Sequence, residues 1–162
     1  MSWETAYKPL NKANLKLLKV GSMAKTYEMI VPNSGELTFT DRNGKVSSWE
    51  LMHFHFHSPS EHLYDGKHRR LEIHLVHYAL VDGKPSDDII TVLCISFVAI
   101  PGNVTKNPWL GTFMKGNKVN VDTPISAEIN TLINYFNTYN FYNYMGSLTT
   151  PNCTENVNWI VI

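Results

Sequence analysis

The stretch His53-Phe54-His55-Phe56-His57 constrains this chain more than any other. In an extended strand, side chains two residues apart share a face. The three histidines then line one face, and Phe54 and Phe56 pack on the other. All seven histidines fall between His53 and His77. A second run, Leu71-Glu72-Ile73-His74-Leu75-Val76-His77-Tyr78, reads as a further strand with Glu72 and His74 on one face. Neutral imidazole is a favoured zinc ligand. Two imidazoles from one strand and a third from its neighbour make a three-nitrogen site with an open fourth position, the layout of a catalytic zinc site. A lone strand histidine is ordinarily a hydrogen-bonded core or surface residue, so spacing alone leaves both readings open. His77 has the opposite parity to His74 and reads as a core histidine with a hydrogen-bond partner. His53 suits a cavity wall better than ligation. His62 and His68, near the connecting loop, are structural or solvated.

The remaining pattern is mainly β. Strands are expected at Tyr27–Val31, Glu36–Thr40, Val46–His57, Arg69–Val81, Ile89–Ala99 and Val157–Ile162. Asn43-Gly44 and Asp82-Gly83 are hairpin turn signals between neighbours. One helix is expected, capped by Thr123 with Pro124 in its first turn. Ile125, Ile129, Leu132, Ile133 and Phe136 form its apolar stripe, which packs on the sheet. The chain has 162 residues, enough for a single domain over 1–162 with a sizeable core. Its 14 basic and 14 acidic residues balance, so no net field favours nucleic acid or an anionic membrane. The nearly apolar run from Ile89 to Ile100 is too short to span a bilayer. No cationic-then-apolar signal segment opens the chain.

Three blocks carry a resemblance. Phe54-His55-Phe56-His57-Ser58-Pro59-Ser60-Glu61-His62, Leu71-Glu72-Ile73-His74-Leu75-Val76-His77 and Gly146-Ser147-Leu148-Thr149-Thr150-Pro151 occur in the order and rough spacing of the alpha-class carbonic anhydrases. The Ser-Pro-Ser form resembles bacterial and algal members more than animal ones. The resemblance implies a single mainly β domain with minor α, built on a central twisted, mostly antiparallel sheet. It implies His55, His57 and His74 as zinc ligands. It also implies reversible hydration of carbon dioxide to bicarbonate and a proton, by zinc-bound hydroxide; carbonic anhydrase is itself the reference case for that chemistry. Thr149 matches the threonine that accepts a hydrogen bond from the hydroxide, and Glu61 the carboxylate that accepts the threonine's proton. Glu72 matches a carboxylate that fixes the tautomer of a ligand histidine. Val76, Val92, Leu148 and Trp159, with Thr150 and His53, match or adjoin the substrate pocket. On residue type alone the apolar four are ordinary core, and Thr149-Thr150-Pro151 is a turn signature.

Lys25 falls at the family's proton-shuttle position. A lysine's ordinary pKa of about 10.4 makes it a poor relay near neutral pH, so turnover is expected to be limited by proton transfer. The likeness runs from about Tyr7 to Ile162, roughly two-thirds of the family domain. The chain is therefore expected to be incomplete at both ends, either a fragment or a short form whose sheet edges a partner covers. Cys153 matches a cysteine that is disulfide-bonded in secreted members, with its usual partner before Met1; a Cys94–Cys153 bridge is an open alternative. Asn103-Val104-Thr105 and Asn152-Cys153-Thr154 are acceptor sequons. A secreted, periplasmic or organelle-lumenal compartment is preferred. Beside a sulfonamide-sensitive zinc enzyme stands a second reading, a non-catalytic carbonic-anhydrase-like structural or binding module of a larger assembly. An unrelated zinc hydrolase is a third; the chain has no H-E-x-x-H motif.

Overall fold

The computed structural model describes residues 1–7, 14–20, 24–99, 110, 129–133 and 140–162. Along the chain these form β1 (Ser2–Tyr7), β2 (Asn14–Val20), β3 (Ala24–Ile30), β4 (Gly35–Thr40), β5 (Val46–His57), β6 (Leu63–Tyr64) and β7 (Lys67–His68). There follow β8 (Leu71–Val81), β9 (Lys84–Phe97), a short helix α1 (Ile129–Ile133), β10 (Tyr142–Gly146) and β11 (Val157–Val161). The bounds of β5 are those expected. β8 starts at Leu71 rather than Arg69, and β11 stops at Val161. β3 and β9 start earlier than expected, at Ala24 and Lys84, and β9 ends at Phe97. β1, β2, β6, β7 and β10 were not anticipated.

Nine strands make one mixed sheet, with a spine in the order β1-β4-β5-β8-β9-β11-β10. One edge of β5 is shared: β4 pairs with Val46–Glu50, and β3, itself joined to β2, pairs with His53–His55. Pairings within the sheet are antiparallel except that of β9 with β11. Both turn signals act as expected. The side chain of Asp41 accepts the backbone N–H groups of Asn43 and Lys45, at 2.8 and 2.9 Å, ahead of β5. Asp82 and Gly83 have φ of 50° and 74°, the primed-turn geometry that joins β8 to β9. Gly35 has φ of 122°, and a Cβ there would sit 2.6 Å from the Tyr7 backbone, so only glycine lets β1 lie against β4.

The two sheet faces differ. One carries the larger core, in which Leu37, Leu51, Phe54, Ile73, Leu75 and Ile95 are fully buried and Ile129, Leu132 and Ile133 of α1 join them. Those three belong to the expected stripe; the expected cap and first turn at Thr123 and Pro124, and Ile125 and Phe136, lie outside the described residues. The other face carries a smaller cluster of Val76, Ile90, Val92, Cys94, Val157, Trp159 and Val161.

A single residue sets which side chains of β5 meet which face. Strict alternation would put Trp49, Leu51 and His53 together. The register against β8 instead shifts between Leu51 and His53, leaving Met52 as an extra residue. Its carbonyl is satisfied by the Val31 N–H at 2.8 Å. Across this bulge Trp49 and Leu51 share the larger core with Phe54, and Phe56 packs against it. Burying a side chain such as phenylalanine is worth about 1.5–3 kcal/mol, so a register that turned Phe54 and Phe56 outward is strongly disfavoured. The histidines are left on the opposite face.

Candidate metal centre

His55 and His57 project from β5 and His74 from β8, where His55 stands opposite His74 in register. One nitrogen from each of the three lies within 4.8 Å of the others. The rings of His57 and His74 are 4.4 Å apart between centroids, and those of His55 and His74 are 5.3 Å apart. His74 is 2% exposed. His55 Nδ1 and His57 Nε2 are buried yet have no hydrogen-bond partner. A buried, unpartnered polar atom is costly, and a ligand is one means of satisfying it. Burial, reinforced by the neighbouring imidazoles, pushes His55 down to about 2 and His57 to about 4. Both are therefore neutral near pH 7, the form that binds a metal. Three converging imidazole donors fit a zinc ion.

Glu72 is fully buried beneath this cluster. Its Oε1 accepts from His74 Nε2 at 2.8 Å and from His62 Nδ1 at 3.0 Å, and its Oε2 accepts from Ser96 Oγ at 2.9 Å. Burial alone would raise this carboxyl, but the hydrogen bonds from His62 and His74 outweigh it and hold the group well below the usual carboxylate range. As a carboxylate it can only accept, so His74 donates from Nε2, which leaves Nδ1 as the nitrogen turned to the cluster. His62 Nε2 then accepts from the Tyr144 hydroxyl at 2.7 Å. Cys94 Sγ lies 3.5 Å from His62 Nδ1. His62, Glu72, His74 and Cys94 are thus close enough to resemble a second metal cluster. Burial, with the Glu72 charge, pushes the Cys94 thiol far up, which opposes the thiolate a metal needs. His62, Glu72 and Cys94 form a hydrogen-bonded base beneath His74.

A cavity of about 210 Å³ opens beside the three histidines. Every expected pocket residue lines it: Val76, Val92, Leu148, Thr150, Trp159 and His53, together with Thr149. Trp159 reaches the wall because Gly146 has no side chain; a Cβ there would lie 3.1 Å from the indole. Its Nε1 donates to the Ser147 carbonyl at 3.2 Å, tying the Leu148–Thr150 loop to β11. Tyr78 and Ile90 also line the cavity. They were missed, although Tyr78 shares the parity of His74 and Val76, and Ile90 that of Val92. His53 Nδ1 lies 2.9 Å from Glu28 Oε1 without hydrogen-bond alignment.

Glu61 makes no hydrogen bond to Thr149; its Oε1 lies 3.4 Å from His57 Nδ1 and its Oε2 4.0 Å from His74 Nδ1. Lys25 lies in β3, opposite Lys19 of β2, and its side chain is outside the described residues. His77 is a core residue as expected. It is fully buried, shares a 2.6 Å hydrogen bond with the Tyr7 hydroxyl and donates to the Thr91 carbonyl at 3.1 Å. His68 is likewise structural, bonded to the Ser60 carbonyl at 2.6 Å. Cys94 and Cys153 are both free, the first buried and the second exposed.

Known proteins are similar to this chain in sequence and in fold. The family model described as eukaryotic-type carbonic anhydrase matches residues 5–162. A carbonic anhydrase of Pectobacterium atrosepticum is 36% identical over 123 residues, covering 71% of this chain and 44% of that protein. Dioscorin DB3S of Dioscorea polystachya is 28% identical over 178 residues, covering 99% of this chain and 64% of that protein. The solved alpha-carbonic anhydrase of Thermovibrio ammonificans, in complex with the inhibitor sulfanilamide, superposes with a TM-score of 0.67 at 29% identity. That match covers 98% of this chain and 62% of the other. The chain spans about half the length of the curated relatives it matches. With its mixed β-sheet, its histidine triad and a family match over nearly its whole length, the chain belongs to the eukaryotic-type carbonic anhydrase family.

Proposed function

We propose that this chain supports reversible hydration of carbon dioxide to bicarbonate and a proton, with zinc held by His55, His57 and His74. The observation that carries the reading is the convergence of three imidazoles whose buried nitrogens include two without partners. Zinc held by three neutral imidazoles supplies the Lewis acidity that makes water nucleophilic near neutral pH, carbonic anhydrase being the reference case of that chemistry.

The remaining roles fall to the chain's own residues. Glu72 holds His74 with its Nδ1 toward the cluster. Val76, Val92, Leu148 and Trp159 offer an apolar wall to a small apolar substrate. Thr149 and Thr150, on the same wall, supply hydroxyls; we assign to Thr149 the orientation of the reacting water. Glu61 is assigned as the carboxylate partner of Thr149, which requires it to turn away from His57 and His74. Lys25 is assigned the shuttle position and is a slow relay.

Family membership alone does not carry activity, because the family likeness extends to a relative named dioscorin. The intact triad favours the enzyme over a non-catalytic module. Stopped-flow carbon dioxide hydration on zinc-loaded protein, with a sulfonamide control, tests this. Sulfonamide-sensitive hydration is expected. Folded, zinc-bound protein with no hydration would make the chain a module that keeps its metal for structure.

A further inference from the structure

Glu72 is gripped from two sides, and the second grip comes from residues that take no part in the roles above. Ser96 stands opposite Glu72 in the β8–β9 register and donates its hydroxyl proton to Oε2 at 2.9 Å. Its proton is thereby committed, so the 2.8 Å contact between Ser96 Oγ and the Tyr64 hydroxyl has tyrosine as donor. The Arg69 guanidinium lies 4.7 Å from the centre of the Tyr64 ring and holds it from outside. Tyr64 lines a second cavity, of about 360 Å³, together with His62 and Tyr144. Two hydrogen-bonded arms thus run from this cavity to one carboxylate: Tyr144–His62 to Oε1, and Tyr64–Ser96 to Oε2.

The arms differ in what they restrain. Oε1 is occupied by both imidazoles. Apart from Ser96, Oε2 has a long 3.4 Å contact from the His62 backbone N–H, and the Cys94 thiol also interacts with the carboxylate. Without the serine hydroxyl, the carboxylate loses its one short bond at Oε2 and is less restrained in rotation about its last bond. The hydrogen bond that sets the ring of His74 then loses its direction. We propose that Ser96 and Tyr64 are positioning residues of the metal centre, fixing the rotation of Glu72 and through it the orientation of His74. This rests on reading the triad as a zinc site.

The test is zinc loss to an excess of chelator, followed in the wild type, Ser96→Ala, Ser96→Thr and Tyr64→Phe, with the melting temperature of each metal-free protein. Removing a direct partner of a ligand histidine typically costs 10–100-fold in affinity, and one step further out the effect shrinks. Ser96→Ala is expected to release zinc about threefold to tenfold faster, Tyr64→Phe less so, and Ser96→Thr to restore the wild-type rate, with metal-free melting temperatures unchanged. Unchanged release in both Ser96→Ala and Tyr64→Phe overturns the proposal. So does faster release that tracks a lowered metal-free melting temperature and is not restored by threonine. Wild-type protein that takes up no zinc overturns the metal reading itself, and this inference with it.

Discussion

His74 and His77 leave opposite faces of one strand and are almost equally buried, at 2% and 0% exposure. Their surroundings separate them. Both ring nitrogens of His77 have protein partners, in Tyr7 and the Thr91 carbonyl. His74 spends one nitrogen on Glu72, and its other joins His55 and His57, each of which leaves a buried nitrogen unpartnered. Burial therefore says nothing about role here. The difference lies in whether the protein satisfies the imidazole by itself, and that distinguishes a residue that closes the core from one that awaits a ligand.

The largest test of this contrast removes a residue from each side. His57→Ala should lower zinc affinity by well over the 10–100-fold cost of losing an outer partner, and abolish hydration, with little change in metal-free stability. His77→Leu should do the reverse: one bound zinc per chain by metal analysis, and a loss of about 1–3 kcal/mol in chemical denaturation from the broken buried hydrogen bonds. Zinc loss in His77→Leu would break the comparison.

Acid sharpens it. His55, His57 and His77 are held at about 2, 4 and 3, against about 6.5 in the unfolded chain. As the pH falls below about 6.5 the unfolded chain takes up protons that the folded one refuses. Their contribution to stability is complete above that pH and is lost as the pH falls toward the folded values. Denaturation of metal-free protein between pH 7.5 and 5, above the carboxylate range, should show stability declining with acid. The slope should be shallower in His77→Leu. A flat profile would mean these imidazoles are less enclosed than their packing indicates. The smallest effect expected is kinetic: imidazole buffer should raise turnover by replacing the slow relay at Lys25, and an unchanged rate removes the proton-transfer limit.

Much of this arrangement was legible because period-two patterns survive folding wherever one face is buried. The bounds of β5, the shared face of His55 and His57, the opposed parities of His74 and His77, and both hairpin turns could be read from residue order. β10 could not: it is flanked by β11 alone in the described sheet and exposes Tyr142, Tyr144 and Met145, so no alternation marks it. β9 begins in the polar stretch Lys84–Asp88, where the turn rather than hydrophobicity sets the pairing. The grip on Glu72 was hidden for another reason. His62 and Tyr64, in and beside β6, meet Tyr144 of β10 and Ser96 of β9, both far off in sequence, and nothing local signals either partner.

The extra residue at Met52 reconciles two apolar pairs, Trp49/Leu51 and Phe54/Phe56, that a plain strand of this sequence would place on opposite faces. It acts as a phase marker, shifting the inward-facing set from odd to even positions between Leu51 and Phe54. Replacing Met52 by another aliphatic residue leaves that phase intact and should be tolerated. Deleting it closes the bulge and restores plain alternation, with Trp49, Leu51, Phe54 and Phe56 still on one face and the histidines on the other, so soluble protein should still be recovered, weakened by about 0.5–1.5 kcal/mol for the lost Val31 N–H bond to the Met52 carbonyl. The spacing between an apolar pair and a ligand pair, one residue longer than a plain strand allows, is information that neither pair carries alone.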